Sequence, residues 1–329
     1  MSVKVSIIMP CYNAEKYLDM SIGSVYEQDY PNIELIVVND GSVDDSESKI
    51  FKWKKKFEEK GFSLIYIHQE NRGVGAATNT AVKAVRGDYI TLLDSDDRLL
   101  QGSVSKRANF LNENPDCAGV RSNGWYMKGE NRELIIINEA EKKITDLFTA
   151  LSLGKTNNWP GTYMIRSDVF FSIYPDKNIF PSRFGQNFQM LLPVTYNQKF
   201  GYIDEPLMEY YIYENSHSHA KDPIEQYYLS ERNSAGWREI YFNVLDRLVK
   251  DPKEYKKYEN MYNSVYYRGA LYRAAANLKK DRMVECFGLL KKTGRMNLDD
   301  RVVYYSVLKS PKVLFWKVLC KGKAILTKK

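Results

Sequence analysis

The sequence predicts an α/β protein with a mostly parallel central sheet and a helical extension behind it. Three observations carry this. Short apolar runs alternate with helical patterns through about the first hundred residues, each run ends in a polar or glycine-containing turn, and beyond residue 220 the strand signals stop. Strands and helices alternating at this spacing read as βαβ units, which pair in parallel. A chain of 329 residues has room for one sizeable domain and a smaller one, so a boundary is expected near 220, giving 1–220 and 221–329.

The elements follow in order. The β-branched run from Val3 to Met9 predicts a strand, and the breakers Pro10-Cys11-Tyr12-Asn13 end it. Tyr17, Leu18, Ile22 and Val25 lie on one face of a helix expected over Glu15 to Gln28. Ile33 to Val38 is a second buried-type strand, closed by Asn39-Asp40-Gly41-Ser42, with a basic helix expected over Asp44 to Lys60. Ser63 to His68 and Gly75 to Val85 make a third strand and helix, and Asp88 to Leu93 a fourth strand that runs into Asp94. A helix over Gln101 to Asn114 precedes a mixed region of short strands and long loops to about Tyr213. Helices rich in Tyr, Lys and Arg then fill Pro223 to about Leu308.

Composition narrows the class. Hydrophobic residues at 44% and charged residues at 27% are those of a globular protein, which excludes a disordered or collagenous chain. The formal charge of +7 permits an anionic partner such as a phosphate ligand or an acidic membrane, and does not call for nucleic acid. The four cysteines show no CxxC spacing, so neither a disulfide framework nor a zinc site is expected, and a reducing cytoplasm fits. No signal peptide and no apolar run of about 20 residues is seen, so a soluble or peripheral protein is expected.

In open sheets of this kind ligands bind beyond the carboxyl ends of the strands. Those ends read Pro10-Cys11-Tyr12-Asn13, Asp40-Gly41-Ser42, Asn71-Arg72-Gly73 and Asp94-Ser95-Asp96-Asp97. The glycine fingerprint of dinucleotide folds is missing after the first strand, which argues against a nicotinamide-dependent dehydrogenase; a phosphate loop ending in Gly-Lys-Ser/Thr is missing too. What remains is a row of carboxylates and amides. Two carboxylates one residue apart, Asp94 and Asp96, can share a hard divalent cation that also binds phosphate oxygens and neutralises a diphosphate leaving group.

The runs Val5–Asn13, Glu34–Asp44, Asn71-Arg72-Gly73-Val74-Gly75 with Asn79, and Gly87–Asp97 resemble the family 2 glycosyltransferases. They occur in family order across the first hundred residues or so. The resemblance implies a GT-A fold, a nucleotide-sugar donor (usually a UDP-sugar), Mg²⁺ or Mn²⁺, and inversion at the anomeric carbon. Carried onto this chain, Pro10, Tyr12 and Asn13 would line the nucleotide pocket, with Gly73 and Ser95 also on the donor side, and Arg72 would meet phosphate or else form a surface salt bridge. Asp40 would hydrogen-bond the base, since an acceptor-only carboxylate suits a uracil imide N–H. Asp94 would lie near ribose and metal, and Asp96 would bind the metal directly. In Ser216-His217-Ser218-His219, one of His217 and His219 is expected to reach the metal or the diphosphate.

One departure stands out. Where the family usually places a Glu-Asp pair whose Asp deprotonates the acceptor hydroxyl, this chain reads Gly185-Gln186-Asn187-Phe188-Gln189. Neither amide accepts a proton at neutral pH, although Gln186 and Asn187 can orient a hydroxyl. Three explanations stay open: a base from elsewhere (Asp168, Asp176, Glu205 or His217), an acceptor that needs no strong base, or a catalytically impaired sugar-nucleotide-binding partner subunit. Trp159-Pro160-Gly161-Thr162 resembles the acceptor-side loop, and the acceptor expected is a glycan or lipid-linked glycan of a bacterial surface polysaccharide. Lys309 to Lys329 carries seven lysines, no acid, and Phe315 and Trp316. Contact with an anionic membrane at the cytoplasmic face, or packing on the body, accounts equally well for such a tail.

Overall fold

A computed structural model describes residues 3–157, 159–213, 220 and 222–309. The chain divides into two compact units, one of 1–151 with 155–216, the other of 152–154 with the chain from 217 onward.

The first unit begins with the alternation that the sequence predicts. Strand β1 (Val5–Cys11), helix α1 (Leu18–Tyr26), β2 (Ile33–Asp40), α2 (Ser46–Lys60), β3 (Ser63–Gln69), α3 (Val74–Ala84) and β4 (Tyr89–Leu92) follow in turn. All of β1, β2 and β4 is buried, which is why these strands read as unbroken apolar runs rather than alternating ones. Helix α2 stops at Gly61, whose φ of 78° is the left-handed conformation that caps a helix without penalty in glycine.

The strand order is β3-β2-β1-β4, all parallel, and the pairing then changes sense. After β5 (Arg98–Leu99) and α4 (Ser103–Glu113) come two strands longer than expected, β6 (Cys117–Lys128) and, later, β9 (Lys199–Tyr211). Between them lie β7 (Asn131–Leu134), α5 (Glu139–Lys142), α6 (Leu147–Ser152), β8 (Tyr163–Arg166), α7 (Ser167–Ile173) and α8 (Gln186–Leu191). Strand β8 runs antiparallel to both β4 and β6, while β6 and β9 are parallel. The sheet is therefore parallel in its first half and mixed in its second. Leu18, Ile22, Val25, Ile50 and Phe57 from the helices pack on Val5, Ile7, Leu35 and Val37 of the sheet, forming the main core.

The second unit holds α9 (Pro223–Leu248), α10 (Pro252–Ala276), α11 (Lys280–Lys292) and α12 (Leu298–Lys309). Helices α9 and α10 each start on an Asp-Pro pair. The carboxylates of Asp222 and Asp251 accept N–H groups of the first turn, and proline occupies a position whose N–H would be unpaired. An interior shared by α10, α11 and α12 includes Ala270, Leu271, Ala274, Met283, Cys286, Leu290 and Val303. No helix among the described residues is long and apolar enough to cross a membrane.

Candidate active site

The carboxyl ends of β1, β2 and β4 lie side by side, so the segments after them share one edge. The loops after β1 and β2 are stitched together: Asn13 N donates to Ser42 Oγ (3.0 Å), Val43 N to Asn13 Oδ1 (2.9 Å), and Ala14 N to Ser46 Oγ (2.9 Å). Asn13 takes a positive φ of 49°, which its side-chain bond supports. Pro10 is buried in β1, and Tyr12 next to it is exposed.

Asp40 ends β2 and is buried. Its Oδ1 accepts Gln69 Nε2 (2.6 Å) and Arg72 N (3.0 Å), and its Oδ2 accepts Gly73 N (2.8 Å). The Gln69 side chain is itself held, taking Thr80 Oγ1 (2.6 Å) and the Arg72 guanidinium (3.3 Å) on Oε1. The carboxylate expected to read a base thus clamps the turn that starts α3.

The acidic turn follows β4. Leu93 N still bonds Ile8 O (2.9 Å), then Asp97 N folds back to Asp94 O (3.1 Å), so the cluster emerges directly from the sheet. Asp94, Ser95 and Asp96 are half-buried and Asp97 is buried. Burial and the neighbouring Asp96 charge push the Asp94 carboxyl up to about 7, against the Gln186 amide, whose Nε2 lies 3.5 Å from Oδ1. Asp97 is raised well above the carboxylate range by burial and by the charges of Asp94 and Asp96, opposed by Tyr211 N on its Oδ1 (2.9 Å). Its Oδ2 is buried with no hydrogen-bond partner among the described residues. Among the described residues no Lys or Arg acts on Asp94 or Asp97. Carboxylates crowded in this way fit a hard divalent ion. Among the described residues no three His, Cys, Asp or Glu side chains form a cage, so such an ion would take further oxygens from phosphate and water. His217 and His219 lie outside the described residues.

Gln186 opens α8 and reaches Asp94. Asn187 beside it is buried, its Oδ1 without a partner among the described residues and its main-chain oxygen accepting Tyr163 Oη at 3.4 Å. Tyr163, raised by burial and by the Asp94 charge, has its carbonyl held by Thr91 Oγ1 (2.6 Å) and by the buried Arg107 (3.1 Å). The three described alternatives for a base stand elsewhere. Asp168 begins α7 at the opposite end of β4, where Ser167 N bonds Asp88 O (2.9 Å). Asp176 adjoins Lys177, which bonds Val85 O (3.1 Å) beyond α3, and Glu205 pairs with Lys106 of α4.

Trp159, from the loop expected on the acceptor side, joins aromatic rings that come from other elements. Trp159 donates Nε1–H to Tyr126 Oη (2.7 Å) and lies 4.9 Å from the Tyr210 ring; Tyr210, on β9, is raised by burial and by Asp97, Asp94 and Asp96. Tyr213 donates to Asp96 O (3.4 Å) and packs on Tyr17 (4.6 Å). The tyrosines are spread along β6, β8 and β9, and no local pattern marks them as neighbours of Asp94.

A mixed sheet, parallel in its first half, with its loops gathered at one edge and an acidic turn after β4, is a GT-A fold. It superposes on S. aureus TarS residues 1–349 in complex with UDP-GlcNAc with a TM-score of 0.58 at 16% identity, over 93% of this chain and 92% of that one. On the mannosyltransferase PcManGT from Pyrobaculum calidifontis in complex with GDP-Man and Mn²⁺ the TM-score is 0.55 at 14% identity, over 100% and 89%. The sequence profile described as Glycosyl transferase family 2 matches residues 6–172, just over half the chain, and the protein belongs to that family. Among curated relatives, Glycosyltransferase GlyA of Streptococcus pneumoniae is 44% identical over 101 residues, 31% of this chain and 14% of its own. The minor teichoic acid biosynthesis protein GgaB of Bacillus subtilis is 38% identical over 110 residues, 33% of this chain and 12% of its own. The chain thus matches well under half the length of either relative.

Proposed function

We propose that the protein transfers a sugar, with inversion, from a nucleotide donor, UDP-sugar foremost, to a hydroxyl of a glycan or lipid-linked glycan. The observation that carries the reading is the acidic turn: the charges of Asp94 and Asp96 both bear on the buried Asp97, and among the described residues no Lys or Arg acts on Asp94 or Asp97. In this reading Asp96, with Asp94, holds Mn²⁺ or Mg²⁺. The ion supplies counter-charge to the departing diphosphate. Pro10, Tyr12, Asn13 and the Asp40–Arg72–Gly73 clamp line the nucleoside side, with Ser95 between nucleoside and metal. On the acceptor side, Gln186 and Asn187 orient the attacking hydroxyl, and the rings of Trp159, Tyr126 and Tyr210 suit the apolar face of a sugar. The absence of a carboxylate at 186 and 187 favours an acceptor that needs little deprotonation or a base from the 214–219 segment. Surface-glycan assembly is supported by the teichoic acid protein among the relatives.

The test is calorimetric titration of UDP with and without Mn²⁺, followed by transfer assays with a panel of nucleotide sugars and glycan acceptors. Asp96→Ala is expected to abolish the metal-dependent part of UDP binding. Unchanged affinity in that variant would remove the metal assignment, and tight binding without turnover on any acceptor would remove the transferase reading.

A further inference from the structure

We infer that Arg183 is the residue that meets the phosphates of the nucleotide donor, held there by a segment that two glycines admit; this rests on the donor reading above. Residues 182–186 cross the first turn of α3. Gly73 has a φ of 89°, and a Cβ added to it would lie 2.9 Å from Arg183 Cγ and 3.0 Å from Arg183 Cα. A Cβ at Gly75 would overlap the Ser182 carbonyl oxygen. Both glycines thus clear the space into which this segment settles. Three residues on, Gln186 Nε2 approaches Asp94 Oδ1 at 3.5 Å. Arg183 therefore stands between the clamp at Asp40, Arg72 and Gly73 and the acidic turn, the interval that a nucleoside diphosphate spans when its base lies by Asp40 and its phosphates by Asp96.

The electrostatics of this edge select Arg183 over its neighbour. Arg72 has its main-chain N–H on Asp40 and its guanidinium on Gln69 Oε1 (3.3 Å). Arg183 is exposed, and among the described residues no carboxylate or carbonyl engages its guanidinium. Contrast Arg107, Arg121, Arg166 and Arg268, each bonded to main-chain or side-chain oxygens. A guanidinium offers a planar fork that matches two phosphate oxygens, and its charge favours the diphosphate more as the sugar leaves. The acidic turn supplies the opposite need, so an ion on the carboxylates and a guanidinium on the other side would grip the same group.

The experiment compares the full chain with its Arg183→Gln and Arg183→Lys variants, titrating UDP against uridine, and GDP against guanosine, in Mn²⁺. For the pair that the wild type binds, Arg183→Gln is expected to weaken the diphosphate about tenfold and leave the nucleoside unchanged. Arg183→Lys should recover part of the loss, as it restores charge without the fork. An unchanged diphosphate affinity, or an equal fall for nucleoside and diphosphate, overturns the assignment, the latter showing that Arg183 only props the segment. A wild type that binds neither UDP nor GDP overturns the donor reading itself, which separates the two failures.

Discussion

Asp94 and Asp97 bear the charge that the site must manage. Both folded carboxyls are raised above their ordinary range, Asp94 to about 7, chiefly by burial. A raised acid binds its proton more tightly in the folded chain than in the unfolded one, so its ionisation costs stability. The cost is nil below about pH 4, grows as pH rises towards 7, and is fully present above that. In metal-free protein Asp94→Asn should therefore raise stability at pH 8 by roughly 2 kcal/mol after allowance for partial exposure, and by nothing at pH 4. Urea denaturation at the two pH values measures this, and a variant less stable than wild type at pH 8 would contradict the picture of a strained carboxylate. Mn²⁺ should reverse the order, stabilising wild type more than the variant. Asn187 belongs to the same scale but to the other substrate. Asn187→Ala is expected to lower transfer about tenfold while nucleotide affinity stays the same; a parallel loss of UDP binding would make Asn187 part of the donor side.

At the scale of elements, the turn into α3 joins the pieces of the site. Asp40 bonds two consecutive N–H groups there, and Gly75 lies flush under the backbone at 182. Gly75→Ala needs no change of helix geometry, but it drives a methyl into the Ser182 carbonyl, and overpacking of this kind costs about 1–3 kcal/mol. The variant should unfold at lower urea and, because 182–186 must shift, should also bind UDP more weakly. Loss of stability with native UDP affinity would show that the segment is not positioned by α3. In the second unit, Asp251 caps α10 through Glu254 N (2.7 Å), and Asp251→Ala should cost about 1 kcal/mol in the same assay.

At the scale of the whole molecule, the basic character gathers at the end of the chain. Leu298, Val302 and Tyr305 of α12 are exposed, at 75%, 50% and 50%, and lie on one side of the helix. The exposed Lys291, Lys292, Arg295 and Arg301 stand nearby in sequence, and the lysine-rich tail, outside the described residues, follows directly. Exposed apolar residues close in sequence to a run of lysines, with Asp299 the one exposed acid between them, put contact with an anionic lipid surface to the test. Deleting residues 309–329 should release the protein from phosphatidylglycerol vesicles in a sedimentation assay at low salt, with no effect on phosphatidylcholine vesicles. Equal partition with and without the tail would leave packing as its role.

The sequence by itself determined the order of β1 to β4, their burial, the turns that end them and the acidic motif among those turns. Each of these is written locally, in an apolar run, a helical period or a breaker, so a short stretch of chain is enough to read it. It also carries the family, since the motifs of the first half are contiguous strings. What the tertiary structure alone decided is which distant residues share the edge. Gln186 meets Asp94 across 92 residues, Tyr213 meets Asp96 across 117, and Arg183 settles on Gly73. Asp40 changes most in the passage from string to fold: a carboxylate expected to await a base already has three internal donors, because the strand pairing of β2 with β3 brings Gln69 beside it and the turn after β3 brings Arg72 and Gly73. Such meetings depend on sheet register and on the reversal from parallel to antiparallel at β8, neither of which has a signature in any short stretch of chain.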